Sequence, residues 1–182
     1  PPLRLPDARP ENTTLLRVGD GWGKANALRV GVAHSRGEIL HLLDADMVVY
    51  PEHVAAVARW PAVLPYAVAL GTKRFVDPFP DGSWPAPDQV VRAWTDGRAA
   101  DLFGGVEGER HEYQERYIAQ TSQLRTADHL AFRVVVGASL ALRRELYEAA
   151  GGPDPALRFG NDTEFAYRLA QAGAVFVPEP AA

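Results

Sequence analysis

Short apolar runs alternate with helical patterns along the first part of the chain, and this alternation restricts the possible folds more than any other feature. Ile39 to Leu43 is a mostly apolar run of strand length that ends abruptly at Asp44-Ala45-Asp46. Small and apolar residues recur at helical spacing from Gly23 to Ser35, and again from Pro51 to Pro61, where the proline is expected to end the helix. Tyr66 to Gly71 is the next strand-like run. Because strands that alternate with helices form helix-covered parallel sheets, the pattern predicts an α/β fold.

The regular pattern lapses and then returns downstream. Residues 77–110 are rich in Pro and Gly and are predicted to form a long loop or lid with a short helix at Asp88 to Thr95. An amphipathic helix is predicted from His111 to Leu124, and a second helix from Arg143 to Ala150 that ends at Gly151-Gly152. Between them, Phe132 to Leu142 is the second strong strand signal.

Two further segments carry local signals. Gly137-Ala138-Ser139, inside the run from Phe132 to Leu142, indicates a bend or a close approach of the backbone to another group. Residues 1–14 are expected to be irregular, and Leu15 to Val18 is a weak strand candidate.

Length and composition indicate an ordinary globular domain. The 182 residues fit a single domain, taken as 1–182, with 47% hydrophobic and 23% charged residues. The net charge is −4 and no Lys/Arg cluster occurs, which argues against a nucleic-acid partner. The apolar stretch from Val54 to Gly71 is interrupted by Arg59, Pro61 and Pro65, so no membrane span is predicted. No signal peptide is visible, and the expected location is the cytoplasm, either free or at the inner face of a membrane.

Asp44 and Asp46 are the first candidate functional residues. An Asp-x-Asp triplet is expected about once by chance in a chain of this composition, so only its context is informative. On extended backbone the two carboxylates would point to the same side, beyond the carboxyl end of a strand, where α/β sheets bind ligands. Mg²⁺ and Mn²⁺ bind carboxylate, water and phosphate oxygens. The pair therefore suits a metal-diphosphate site.

A second acidic cluster, Asn161-Asp162-Thr163-Glu164, follows Gly160 and allows two interpretations. Asn161 and Glu164 have the spacing of a capping box, with Asp162 in the first helical turn. Alternatively, Asp162 is a general base, since aspartate is ordinarily ionised at neutral pH and can accept a proton from a hydroxyl. The residues alone leave both interpretations open.

The order of these segments resembles the family 2 glycosyltransferases of the GT-A fold. The resemblance covers about Leu15 to Ala182 and rests on six segments in one fixed sequence: Gly23-Lys24-Ala25-Asn26-Ala27-Leu28, Gly37 to Asp46, Val136 to Arg144, Gly151-Gly152-Pro153-Asp154, Asn161 to Phe165, and Arg168-Leu169. It implies a Rossmann-like, mostly parallel sheet with helices on both faces. The family's first strand has no counterpart before Leu15, so the domain is expected to be incomplete at its N-terminus.

On the donor side, the resemblance implies a nucleotide-diphospho-sugar held with Mn²⁺ or Mg²⁺. Asp44-Ala45-Asp46 is similar to the family's metal-binding Asp-x-Asp, with Asp46 favoured as the direct ligand and Asp44 near the donor ribose or sharing the metal. Lys24 and Asn26 match the segment that lies near the nucleotide.

On the acceptor side, Asp162 matches the general base that acts on the hydroxyl of a saccharide, lipid or small-molecule acceptor. Glu164 and Arg168 match positions that help to shape this side, and Gly152 is assigned to it as well. The implied reaction is an inverting displacement at the anomeric carbon.

Other functions stay open from the sequence. A nucleotidyltransferase of similar fold is one alternative, and a non-catalytic saccharide-recognition or scaffold domain is another. The five histidines, His34, His41, His53, His111 and His129, lie in no motif and are expected to have packing or surface roles.

Overall fold

The structure is a computed structural model that describes residues 11–18, 23–76, 82–98, 101–102 and 108–180. The helices are α1 (Lys24–His34), α2 (His53–Val63), α3 (Pro87–Thr95), α4 (Glu112–Gln120), α5 (Arg144–Ala149) and α6 (Asn161–Gln171). The strands are β1 (Ile39–Leu43), β2 (Ala67–Gly71), β3 (Arg74–Phe75), β4 (Glu109–Arg110), β5 (Ser139–Arg143) and β6 (Val175–Glu179), and a short 3-10 helix spans Ala131–Val134. Among these residues, no helix has the length and apolar character needed to cross a membrane.

Four strands form the central sheet in the order β1-β5-β2-β6. β5 is antiparallel to β1 and to β2, whereas β2 and β6 are parallel. β1, β2 and β6 therefore share one direction, and their carboxyl ends lie at the same edge of the sheet as the start of β5. The pairing continues past β1 at this edge, because the main-chain N–H of Asp44 donates to the carbonyl oxygen of Ala138 at 3.0 Å.

Helices cover both faces of the sheet. Alternate strand residues face opposite sides, so Leu140 and Leu142 enter one core while Ala141 enters another. The larger core joins the sheet to α1, α5 and α6 and includes Val32, Leu40, Leu42, Val68, Leu70, Leu140, Leu142, Leu146, Phe165 and Leu169. The smaller core packs Val57 of α2 against Ala69 and Ala141, with Trp60 at its side. The predicted α/β class with helices on both faces is confirmed.

Three strand predictions need correction. Three of the four strands run in one direction, as expected, but the antiparallel β5 lies between β1 and β2. The run from Phe132 to Leu142 is a 3-10 turn followed by a strand that starts only at Ser139, because Gly137 and its neighbours form a bend. Leu15 to Val18 forms no strand, and Arg17 in this segment is exposed. The described part of the irregular segment, residues 11–14, also lies outside helices and strands.

Two helix ends also differ from the prediction. α2 continues past Pro61 to Val63. The carbonyl oxygens of Pro61 and Ala62 near its end accept hydrogen bonds from the Arg143 guanidinium at 2.9 and 3.2 Å, and these bonds tie the helix end to β5. α4 ends at Gln120 rather than Leu124, since residues 122–124 adopt positive φ angles that a helix cannot contain.

A small two-stranded sheet joins the two ends of the segment predicted as a lid. β3 and β4 pair antiparallel, with Arg74 opposite Arg110 and Phe75 opposite Glu109. The short helix expected at Asp88 to Thr95 is present as α3, and it buries no residue. Residues 77–81, 99–100 and 103–107 of the predicted lid lie outside the described residues.

A buried polar cluster fixes α2 against the sheet. The Nε2 atoms of His41 and His53 lie 3.0 and 3.1 Å from the Ser139 hydroxyl, and the two rings are 5.1 Å apart. Burial, reinforced by the nearby His53, lowers the pKa of His41 from 6.5 to about 4. Burial also lowers the pKa of His53. These two histidines have the packing role that the sequence predicted.

The cluster makes the fold sensitive to acid. In the folded protein His41 stays neutral down to about pH 4, whereas in the unfolded chain it takes up a proton near pH 6.5. The free energy of unfolding is therefore highest above pH 6.5 and decreases as the pH falls from 6.5 towards 4. The expected loss is about 2 kcal/mol, less than the full shift implies because the ring is only part-buried. Urea unfolding at several pH values should show a smaller loss in His41→Gln and the wild-type loss in the exposed control His129→Gln. An unchanged pH dependence in His41→Gln would contradict the assignment.

Candidate active site

Asp44 and Asp46 lie on a tight turn at the carboxyl end of β1. The strand ends at Leu43, and the N–H of Met47 donates to the carbonyl oxygen of Asp44 at 3.3 Å, which closes a four-residue turn. The expectation that extended backbone aligns the two carboxylates is therefore wrong, because residues 44–47 are not extended. Asp44 is partly buried and Asp46 is exposed. Both residues are still at the ligand-binding edge of the sheet.

Lys24 connects Asp44 to the loop before β5. It is the first residue of α1, and its ammonium forms an ion pair with the Asp44 carboxylate. The same ammonium donates a hydrogen bond of 2.6 Å to the carbonyl oxygen of Gly137. About a third of each charged side chain is exposed, at 36% for Lys24 and 30% for Asp44, so both remain accessible to a ligand.

Asp162 approaches the same loop from the other side. It is the second residue of α6, and its Oδ2 accepts a hydrogen bond of 3.0 Å from the N–H of Gly137. Its Oδ1 accepts another, of 2.9 Å, from the N–H of Thr163. The position in the first helical turn also favours a negative charge.

The capping-box interpretation of this cluster is wrong. The residue that caps α6 is Gly160, with φ of 69°, and no side chain caps the helix. Asn161 is already helical, so its side chain is not at the capping position. The Glu164 carboxylate accepts from Arg168 instead of reaching back to the helix start.

Gly137 must be a glycine for this arrangement to form. A Cβ atom at this position would lie 2.9 Å from the Lys24 Nζ, 3.1 Å from the Asp162 Cβ and 3.4 Å from its Oδ2. Contacts this short would push the two side chains away from the loop. The close approach of the backbone predicted here is confirmed, and the approaching groups are the two charged side chains of the site.

A pocket opens between Lys24 and Asp162. Gly137 and Asn161 contribute to its lining beside the two charged residues. The remaining lining side chains are apolar: Leu28, Leu42, Val135, Leu140, Pro153 and Phe165. The pocket is thus mostly apolar, and the two charged residues of the site are part of its lining.

Comparison with known protein families shows which family the chain belongs to. The family model of Glycosyl transferase family 2 matches residues 5–150, which is well over half of the sequence. The chain belongs to glycosyl transferase family 2. No curated protein matches it significantly. Membership indicates a glycosyltransferase that uses a nucleotide-sugar donor and an acceptor, and the α/β architecture is consistent with the GT-A fold.

The match places the site residues of this family 2 glycosyltransferase in two groups. Lys24, Asp44, Asp46 and Gly137 lie inside residues 5–150. Asp162 lies beyond them, on α6. The hydrogen bond between Gly137 and Asp162 is a direct contact between the matched region and the candidate base.

Glu164 and Gly152, assigned to the acceptor side, are both hydrogen-bonded to the third residue assigned there, Arg168. The Arg168 guanidinium donates to both Glu164 carboxylate oxygens at 2.6 and 2.7 Å, and to the Gly152 carbonyl oxygen at 2.6 Å. It also donates to the Ala150 carbonyl oxygen. The hydrogen bonds to Glu164 raise the pKa of Arg168 above its usual value. This network holds α6, and with it Asp162, against the turn after α5.

Asn26 lies in the first turn of α1, two residues after Lys24, and is partly buried. α1 thus places two of the four predicted donor-side residues, Lys24 and Asn26, at one helix end.

A metal at this edge of the sheet would take its protein oxygen ligands from Asp44 and Asp46. Among the described residues, no three His, Asp or Glu side chains are grouped closely enough to hold a metal by themselves. Mg²⁺ and Mn²⁺ are commonly held by one or two carboxylates with substrate phosphates and waters completing the shell. The donor set in this glycosyltransferase fits that kind of site, in which the donor supplies part of the coordination.

Sequence reasoning identified most of the charged residues of the site but not the role of Gly137. The signal was present, since a glycine interrupts a run of apolar, partly β-branched residues. What approaches that glycine depends on the packing of α1 and α6 around the loop, which no local pattern specifies.

Proposed function

We propose that the chain transfers a sugar from a nucleotide-diphospho-sugar to an acceptor hydroxyl, with inversion at the anomeric carbon. One observation supports this most strongly. The Asp44 and Asp162 carboxylates, which are distant in sequence, are joined through Lys24 and the two main-chain groups of Gly137 at the ligand-binding edge of the sheet.

In this proposal Asp162 is the general base. Each of its carboxylate oxygens accepts one backbone hydrogen bond and retains a further lone pair for the acceptor. The acceptor hydroxyl gives its proton to Asp162 while its oxygen forms a bond to the anomeric carbon. The bond from that carbon to the diphosphate oxygen breaks, and the nucleoside diphosphate leaves with the electron pair. The two backbone bonds fix the carboxylate, so it is oriented before the acceptor binds.

The donor side would be formed by Asp44, Asp46, Lys24 and Asn26. Asp44 and Asp46 would hold Mn²⁺ or Mg²⁺, which neutralises charge on the departing diphosphate when it is bound. Lys24 carries a positive charge at the same position, and its partly exposed ammonium can contact a phosphate oxygen. The acceptor is a saccharide, a lipid or a small molecule that presents a hydroxyl to Asp162.

Nucleotide binding gives the direct test of the donor site. Titration of a panel of nucleoside diphosphates and their sugars by calorimetry should show binding that requires Mn²⁺. Asp46→Asn is expected to weaken this binding by at least about tenfold, because a neutral amide replaces a carboxylate ligand. The exposed Asp128→Asn is the matched control and should bind like the wild type. Saccharide binding that is independent of metal and nucleotide would contradict the proposal and favour a non-catalytic recognition domain.

A further inference from the structure

The ammonium of Lys24 contacts the Asp44 carboxylate, which is one of the two carboxylates that would hold the proposed metal. It forms an ion pair with Asp44 Oδ1 and is held from behind by the Gly137 carbonyl oxygen at 2.6 Å. We propose that Lys24 is an internal counterion that competes with a divalent cation for Asp44 and is released when the donor diphosphate binds. Lys24 would then be a positioning residue that makes metal binding depend on the donor. This inference rests on the donor site of the proposed function.

Electrostatics explains the competition. A carboxylate that already contacts an ammonium is partly neutralised, and a second cation at the same oxygens is repelled by the first. The pair is only about one-third exposed, with 36% of Lys24 and 30% of Asp44 accessible, so water does not screen it completely. A divalent cation on its own must therefore displace the lysine or bind beside it, and both weaken its affinity.

The donor diphosphate removes this conflict because it is an anion. Its oxygens can accept hydrogen bonds from the Lys24 ammonium, which leaves the Asp44 carboxylate for the cation. The second anchor, the Gly137 carbonyl, keeps the ammonium near the site while it changes partners. Metal and diphosphate then favour each other's binding, and by linkage the coupling is the same in both directions.

The same residue links this exchange to the proposed base. The Gly137 carbonyl accepts from Lys24, and the Gly137 N–H donates to Asp162. A change in the position of Lys24 therefore acts on the loop that orients the Asp162 carboxylate.

Under this inference, removal of the Lys24 ammonium is expected to strengthen metal binding. Lys24→Met should bind Mn²⁺ alone about threefold to fivefold more tightly than the wild type, because Asp44 loses its competitor. A residue that only contributed to a metal or donor site would weaken binding when removed. Free Mn²⁺ measured by electron paramagnetic resonance, without nucleotide, gives the affinity.

Two controls locate the effect. The sequence has only one other lysine, Lys73, whose ammonium lies 4.9 Å from the centre of the Phe75 ring. Lys73→Met makes the same change in net charge and should leave Mn²⁺ affinity as in the wild type. Adding Asp44→Asn to Lys24→Met should abolish the gain. Lys24→Gln, which can still donate to the Gly137 carbonyl, should show the same gain and serves if the methionine variant folds poorly.

The outcomes separate this inference from the proposed function. Equal or weaker Mn²⁺ affinity in Lys24→Met, including no binding by either protein, overturns the counterion role. A gain that persists with Asp44→Asn also overturns it. Titration of the wild type with Mn²⁺ and the nucleoside diphosphate panel tests the donor site separately, so metal-dependent nucleotide binding would uphold the proposed function even if Lys24→Met shows no gain.

Discussion

Replacing Asp162 by Asn is expected to lower the rate of sugar transfer by about 10²-fold to 10⁴-fold, the usual contribution of a positioned general base. The amide cannot take up the proton of the acceptor hydroxyl at neutral pH. It can keep one of the two backbone hydrogen bonds, from Gly137 or from Thr163, so the stability loss should be about 1 kcal/mol. Release of nucleoside diphosphate, measured with the donor and acceptor that the wild type uses, gives the rate.

Binding data distinguish loss of the base from loss of the donor site. Asp162→Asn should bind the nucleoside diphosphate and Mn²⁺ like the wild type, since Asp44 and Lys24 are unchanged. The fold is checked by thermal unfolding. A variant that loses nucleotide binding together with turnover would place Asp162 in the donor site instead.

Two other substitutions are matched controls for the base. Asp128→Asn makes the same chemical change at an exposed carboxylate, whose oxygen accepts from the Leu130 N–H at 2.8 Å, and it should not alter the rate. Glu164→Gln tests the neighbouring carboxylate, whose two oxygens accept hydrogen bonds from Nε and Nη2 of Arg168. This substitution is expected to have a much smaller effect on the rate. A full rate in Asp162→Asn with a large loss in Glu164→Gln would transfer the role to Glu164.

The parts of the fold that depend on local pattern could be predicted from the sequence. β1, β2, α1 and α3 lie within a residue or two of their expected positions, because apolar period, length and flanking Gly or Pro are properties of one segment. The neighbours of a strand are not local. β5 begins 100 residues after the start of β1 and 72 residues after the start of β2, and nothing in its own residues specifies an antiparallel insertion.

Two errors at helix ends have causes outside the residues that suggested the prediction. Pro61 does not end α2, and the distant Arg143 supplies hydrogen bonds to the carbonyls near the helix end. The pair Asn161 and Glu164 does not form a capping box, because Gly160 is the capping residue and Glu164 pairs with Arg168 one turn along the same helix. In both cases a residue outside the motif decides the outcome.

The candidate site divides in the same way. The residue types of Asp44, Asp46 and Asp162 indicated chemistry, and their order along the chain indicated the family. Lys24 and Asp44 meet because α1 begins where β1 ends, which is a consequence of packing rather than of either motif. The sequence thus shows which charged residues are candidates for the site. The packing of α1, α6 and the loop before β5 brings Lys24, Asp44 and Asp162 together at the edge of the sheet.

Gly137→Ala is expected to lower the transfer rate by about 10-fold to 10²-fold while the fold survives. The added methyl would lie 2.9 Å from the Lys24 Nζ and 3.1 Å from the Asp162 Cβ, so both side chains must move by several tenths of an ångström. A misplacement of reacting groups by about 1 Å can cost about 10²-fold in rate, which sets the upper end of the expected loss. The stability cost should be about 1 kcal/mol, because the lysine end is flexible and the site is only part-buried. Turnover and urea unfolding of the same samples separate the two effects.

A second glycine provides the matched control for this substitution. Gly31 lies inside α1, and a Cβ there would meet no atom within 4 Å. Gly31→Ala should keep full turnover and gain about 0.5–1 kcal/mol of stability, since alanine is the better helix former. Wild-type turnover in Gly137→Ala would show that the site does not depend on close contact of Lys24 and Asp162 with this loop. Because the added methyl reaches both side chains at once, that result would count against the donor-side and the acceptor-side assignments together.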